Sequence, residues 1–177
     1  MTTRVLIIGY VWPEPQSSAA GSRMLQLIRL LQEIPTTILF ASQAKESSHM
    51  SDLNTIGVDR AHIKVNDQRF DELLTDYQPE IVVFDRYLME EQYGWRVKQH
   101  CPDALLILET SDLHSLRDAR QFAHHQQREV QQLDYHRDIA LREIASIYRC
   151  DLSLIISEAE IQHLQSVYGI SATLLCY

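Results

Sequence analysis

Two short segments carry side chains able to work together on a polar substrate. One is Glu-Thr-Ser-Asp-Leu-His-Ser-Leu-Arg, holding Glu109, Asp112, His114 and Arg117; the other is Phe-Asp-Arg, holding Asp85 and Arg86. Carboxylates accept hydrogen bonds from hydroxyl groups, and arginines grip phosphates or fix carboxylates through paired N–H donors. A histidine takes up and releases protons near neutral pH, so His114 reads either as a catalytic group or as one that orients its neighbours. Thr110, Ser111 and Asp112 are also good helix caps, which leaves capping and binding both open for Asp112 alone. A third set, Ser17, Ser18, Gly21, Ser22 and Arg23, leads into a helix with small residues. Such residues let backbone N–H groups approach an anion, or they form an ordinary flexible connection. Ser157 and Glu158 suit the cap and first turn of a late helix, and they join the binding candidates by position.

These groups are useful only if the fold brings them to one place, and the hydrophobic pattern supplies such a fold. Short apolar runs read as strands over Arg4–Gly9, Thr36–Ala41, Ala61–Val65, Ile81–Phe84, Ala104–Glu109, Asp151–Ile156 and Thr173–Cys176. Helical spacing appears between them. One helix runs from near Gly21 with Met24, Leu25, Ile28, Leu31 and Ile34 inward, ended by Pro35. A weak one covers Ser47–Ile56, another Phe70–Tyr77, another Tyr87–His100, and the last Glu158–Tyr168. A helix opening near Asp112 loses its apolar face at His124–Glu129, where a break is expected. Val130, Leu133, Leu141, Ile144 and Tyr148 then mark a further helix. This alternation predicts an α/β fold, Rossmann-like and doubly wound, with a mainly parallel sheet of about six to seven strands and helices on both faces. Ligands of such sheets bind outside the carboxyl ends of the strands, where Asp85, Glu109 and their neighbours fall.

At 177 residues, 45% hydrophobic and 23% charged, the chain suits one domain with its own core, spanning 1–177. The net charge of −8 argues against nucleic acid as a partner and gives contact with an anionic membrane surface no support. Cys101, Cys150 and Cys176 lack metal-ligand spacing and read as reduced thiols of a cytoplasmic protein. Gly9 and Gly21 are too far apart for a dinucleotide fingerprint, and no Walker or nucleophile-elbow motif occurs. The adjacent His124 and His125 point to different sides of a helix, so no metal site is expected there.

Several stretches together resemble the amino-terminal half of GT-B glycosyltransferases, of the retaining, nucleotide-sugar-dependent group and its bacterial subgroup. Gly9–Arg23 is similar to the proline-containing, small-residue loop after that family's first strand. Pro-Glu-Ile-Val-Val-Phe-Asp at 79–85 resembles its strand of the form Pro-Asp-(Ile/Val)-Val-(Ile/Val). Glu109–Arg120 and Phe84–Arg86 with Glu90–Gln92 resemble segments of the bacterial subgroup. Arg142–Glu143 through Cys150–Glu158 resembles the run ending in a strand and serine before the interdomain region. Two departures stand out: loop one lacks a Gly-Gly pair, and Glu109-Thr110 replaces a histidine common at the end of the fifth strand.

The resemblance implies the acceptor-side domain of a cytoplasmic hexosyltransferase. Its partners would be a sugar acceptor and the carboxyl-terminal half of the same polypeptide. No cofactor is implied; the nucleotide-sugar is a substrate held mainly by that other half. The chain ending on a strand at Tyr177 fits one half of a longer protein. A stand-alone α/β ligand-binding module and a regulatory domain docking through the broken helix near His124 are the rival readings.

Overall fold

The structure, a computed structural model, describes residues 2–177. Its elements are Thr3–Gly9 (β1), Ala19–Leu31 (α1), Thr36–Ser42 (β2), Val58–His62 (β3), Gln68–Tyr77 (α2), Ile81–Asp85 (β4) and Tyr87–His100 (α3). Leu105–Glu109 (β5), His114–His125 (α4), Asp138–Arg149 (α5), Leu152–Leu154 (β6), Glu158–Tyr168 (α6) and Leu175–Cys176 (β7) follow. The seven strands of the described residues are all parallel, in the order β3-β2-β1-β4-β5-β6-β7. The chain steps outward from β1 to β3 and then returns to β4. The order therefore reverses between β1 and β4, which opens a crevice at their carboxyl ends.

The unbroken apolar runs of the inner strands exist because both of their faces are covered. Val5 to Ile8 are wholly buried. Leu6, Ile8, Val82, Phe84, Leu106 and Leu108 pack beneath α2 to α6 through Phe70, Leu74, Tyr93, Val97, Leu116, Ile147 and Leu164. Val5, Ile7, Ile38, Phe40 and Val83 turn the other way, toward Met24 and Ile28 of α1 and toward Trp12. The two faces are thus covered unequally, the second by α1 together with Trp12 and Leu53 rather than by a row of helices.

Several boundaries differ from the sequence reading. The third strand lies three residues earlier than expected, because pairing of Ile38 with Val58 and Ala41 with Ala61 sets its register on β2. Of the weak helix at 47–56, only a 3-10 turn at Leu53–Ile56 forms. α1 stops at Leu31 and leaves Ile34 exposed. The face of α5 is the larger correction. The helix expected from Val130 begins only at Asp138, and Leu133 sits exposed in a 3-10 turn at Gln132–His136; on α5 itself Leu141 and Tyr148 are exposed, and the buried residues are Ala140, Glu143, Ser146 and Ile147. Small residues let α5 lie close beneath α3, where Ser146 Oγ donates to the Tyr87 carbonyl at 3.4 Å.

The expected break is present: α4 ends at His125, and Gln127 takes a φ of 52°. Beyond it, the Arg128 guanidinium grips Asp134 with two bonds of 2.7 Å, and the Gln131 N–H adds another of 2.7 Å. The Arg128 side chain, with that N–H, holds the Asp134 carboxyl down to about 2. A carboxylate depressed in this way contributes stability above its ordinary value and loses it as pH falls through the folded value. The Glu129 and Val130 N–H groups, by contrast, find no acceptor among the described residues, so they should exchange much faster than the amides of Val82 to Phe84 at neutral pH. On acidification through about 2, hydrogen exchange should accelerate across 131–136 as the Asp134 clamp is protonated.

Candidate functional site

Asp85 and Glu109 sit opposite each other in the β4–β5 register, so both carboxylates leave the sheet on the same face at its carboxyl edge. Asp85 closes the crevice: its Oδ2 accepts the Tyr10 N–H at 3.0 Å, tying the exit of β1 to that of β4. Ser111 Oγ adds a bond of 3.4 Å to Oδ1. Burial pushes the Asp85 carboxyl up, against the pull of the Arg86 charge and the Tyr10 N–H.

Both strand exits are bent into strained backbone. Arg86 has φ 73° and ψ 156°, and Ser111 has φ 60°. Conformations of this kind cost about 1–3 kcal/mol each and gather at functional sites. The bend lets the Arg86 N–H donate to the Glu109 carbonyl at 2.7 Å and sets its guanidinium 4.9 Å from the centre of the Tyr10 ring. The Arg86 side chain lies 3.7 Å from Asp85, and its buried Nε has no hydrogen-bond partner among the described residues.

Glu109 is buried and accepts from Arg23 Nε at 2.8 Å and from the Ser111 N–H at 3.0 Å. Arg23 comes from α1, so this pair joins the first helix to the end of β5. Beside it opens a groove of about 400 Å³, walled by Leu27, Leu30, Leu154 and Tyr177. Asp112 is held by Arg117 at 2.8 Å, and His114 Nε2 lies 3.6 Å from its other oxygen. The His114 ring meets Tyr87 edge-on at 5.4 Å. Burial, followed by the nearby Arg117 charge, pushes the His114 imidazole below its ordinary value, which favours the neutral ring.

The capping role open to Asp112 falls elsewhere. α4 begins at His114, and its N-cap, Leu113, has no side-chain acceptor. Glu143 of α5 takes the His114 and Ser115 N–H groups at 3.0 and 2.9 Å. Glu160 of α6 takes the Leu113 N–H at 3.4 Å.

The other candidates divide. Ser18 caps α1, its Oγ accepting the Gly21 N–H at 3.0 Å. Ser17 donates its own N–H to the Glu14 carbonyl at 3.0 Å. A Cβ at Gly21 would lie 2.5 Å from the Glu14 backbone, so glycine is what lets loop one fold down onto α1. Ser157 caps α6 through the Glu160 N–H at 3.2 Å, and Glu158 is exposed in the first turn. The structure thus gathers Arg23, Asp85, Arg86, Glu109, Asp112, His114 and Arg117 at neighbouring strand exits. It leaves Ser17, Ser18, Gly21, Ser157 and Glu158 in capping and loop packing. Tyr10 and Glu143 belong to the site and were not among the candidates. Glu143 had a signal: it recurs at helical spacing with Ala140 and Ile147, a charge on a face that otherwise buries.

No protein-family model matches the sequence, and no curated protein matches it. Solved structures do match in fold. The lipopolysaccharide outer core galactosyltransferase WaaB superposes with a TM-score of 0.60 at 14% identity, over 99% of this chain and 45% of its own. A Listeria monocytogenes protein described as a UDP-N-acetylglucosamine 2-epimerase gives 0.58 at 12% identity, over 99% of this chain and 44% of its own. The Bordetella bronchiseptica enzyme WbmH, solved in complex with NAD+, gives 0.51 at 15% identity, over 96% and 63%. This chain therefore spans less than two thirds of the length of each. Among the described residues, no helix is long and apolar enough to cross a membrane. With its all-parallel sheet reversing order between β1 and β4, the chain has the fold of one Rossmann-like half of a GT-B protein.

Proposed function

We propose that this chain forms the acceptor side of the cleft in a cytoplasmic glycosyltransferase, whose other half, in the same polypeptide, holds a nucleotide-sugar donor. The observation that carries this reading is the set of carboxylate–arginine pairs gathered at the strand exits: Asp85–Arg86, Glu109–Arg23 and Asp112–Arg117, with His114 beside the last. In transfer, the acceptor oxygen bonds to the anomeric carbon, and the bond from that carbon to the diphosphate breaks with its electron pair. The acceptor proton must leave. A neutral His114 is suited to take it, while Asp112, steadied by Arg117, holds a neighbouring hydroxyl. Reduced thiols at Cys101, Cys150 and Cys176 agree with a cytoplasmic location.

Incubating the intact polypeptide that contains this chain with UDP-galactose or UDP-N-acetylglucosamine, and following UDP release and product mass, tests the reading. The expected result is transfer by the intact polypeptide and none by residues 1–177 alone, because the donor pocket belongs to the other half. Turnover by residues 1–177 would overturn the two-half assignment. Conversion of UDP-N-acetylglucosamine to its 2-epimer, without transfer to an acceptor, would replace transfer by epimerisation.

A further inference from the structure

We infer that Glu143 is a positioning residue, which sets the His114 ring at the strand-five exit by capping α4 from a different helix. The inference rests on the functional reading above only for what His114 does, not for how it is held. The first N–H groups of a helix have no partner within it and need an acceptor from outside. Most helices find that acceptor one to three residues upstream; here Leu113 supplies none, and the serine and aspartate just before it are used otherwise. Ser111 Oγ turns to Asp85, and Asp112 pairs with Arg117.

Glu143, 1% exposed and 28 residues away from Ser115, fills the gap. One oxygen accepts the His114 N–H at 3.0 Å; the other accepts the Ser115 N–H at 2.9 Å and the Ser115 hydroxyl at 2.5 Å. All the bonds a single carboxylate makes here fall on the two residues that open α4, and the first of those is His114. A negative charge at a helix N-terminus is also favourable. α5 itself is fixed from the α3 side, where Arg149 clasps Glu90 and Arg142 pairs with Glu91. The His114 backbone is therefore anchored to α5 while its ring rests on Tyr87 of α3. This double hold turns the imidazole toward Asp112. Burial pushes the Glu143 carboxyl up, while the three donors it accepts pull it back down, and its two oxygens fill the first-turn N–H groups of α4.

Glu143→Gln separates positioning from plain stability. The amide keeps one acceptor oxygen but replaces the other with a donor, which cannot serve an N–H. It also relieves the cost of burying the carboxylate, which offsets part of the bond lost, so the global change should be small beside the local one. In residues 1–177, the variant should melt near the native temperature and keep native exchange at Val82 and Phe84. The His114 and Ser115 amides should exchange about tenfold faster or more. By NMR titration, the His114 ring should rise back toward the ordinary histidine value as it loses its packed setting. Unchanged His114 titration and unchanged exchange at 114 and 115 would overturn the inference. So would a uniform acceleration at every amide, which is the mark of a purely structural residue. In the intact polypeptide, Glu143→Gln should lower kcat with little change in KM. Normal transfer despite a displaced His114 would separate Glu143 from function, whereas absence of transfer by the native polypeptide would count against the functional reading and leave the NMR result standing.

Discussion

On the proposed function, replacing His114 with alanine in the intact polypeptide should lower kcat for sugar transfer by about 100-fold or more, the lower end of what a positioned acid–base group contributes. His114 is not an open surface group: its side chain is 13% exposed and packs edge-on against Tyr87. Loss of that ring contact should cost about 1 kcal/mol, too little to unfold a domain of this size. Circular dichroism and melting of the variant would check this directly. Arg117→Ala is the companion change. Arg117 is 51% exposed, so stability should move by no more than about 0.5 kcal/mol. Transfer should still fall, because Asp112 loses the partner that steadies it. The pH dependence has a definite sign. Burial and Arg117 hold the His114 ring below its ordinary value, so the folded protein favours the neutral form. Activity needing a neutral imidazole should then persist below the pH at which a free histidine protonates. The stability linked to this ring is complete above that ordinary value and declines as pH falls beneath it. Transfer within tenfold of native in both variants would make this cluster structural.

The parts legible in the sequence are those governed by local pattern. Ile81–Phe84 reads as a buried strand because nothing polar interrupts it, and burial on both faces is what its central place requires. Tyr87–His100 and Glu158–Tyr168 form with the expected bounds, and Gly169, at φ 68°, closes the second in the left-handed region. The strand-exit cluster was legible for the same reason, since polar residues follow apolar runs at Asp85 and Glu109. What escaped was set by partners distant in sequence. The α4 cap comes from Glu143, and the nearer Thr110, Ser111 and Asp112 made a local cap the natural expectation. α5 buries Ala140 and Ser146 while Leu141 and Tyr148 face out, because helix-to-helix closeness outweighed side-chain hydrophobicity there. The third strand slid by three residues since an edge strand takes its register from its neighbour. Tyr10 escaped because only the meeting of β1 with β4 gives its N–H a carboxylate and its ring an arginine.

The Arg23–Glu109 pair decides whether the end of β5 is a strut or a loose reactive group, and Arg23→Ala should reveal a strut. Glu109 is 1% exposed, and once Arg23 is removed only the Ser111 N–H remains on its carboxylate. Removing one partner of a buried pair costs more than the pair is worth, because the remaining charge stays buried without compensation. Arg23 is about one-third exposed, 35% by side chain, so water can reach part of the vacated space and soften the loss. We expect about 2–3 kcal/mol of destabilisation. For a chain of this length that lowers the melting temperature by roughly 5–10 °C. Arg23→Met combined with Glu109→Leu should recover most of the loss, since an apolar pair of similar volume leaves no charge behind. The groove beside the pair is walled by Leu27, Leu30 and Leu154 and would receive those side chains without new polar contacts. If the double variant is stable yet the intact polypeptide no longer transfers sugar, Glu109 acts beyond its structural tie. If it is stable and active, the tie is all that Glu109 supplies, and the chemistry rests on Asp112, His114 and Arg117. Should Arg23→Ala alone melt like the native chain, the buried carboxylate must find another partner, and the strut assignment fails.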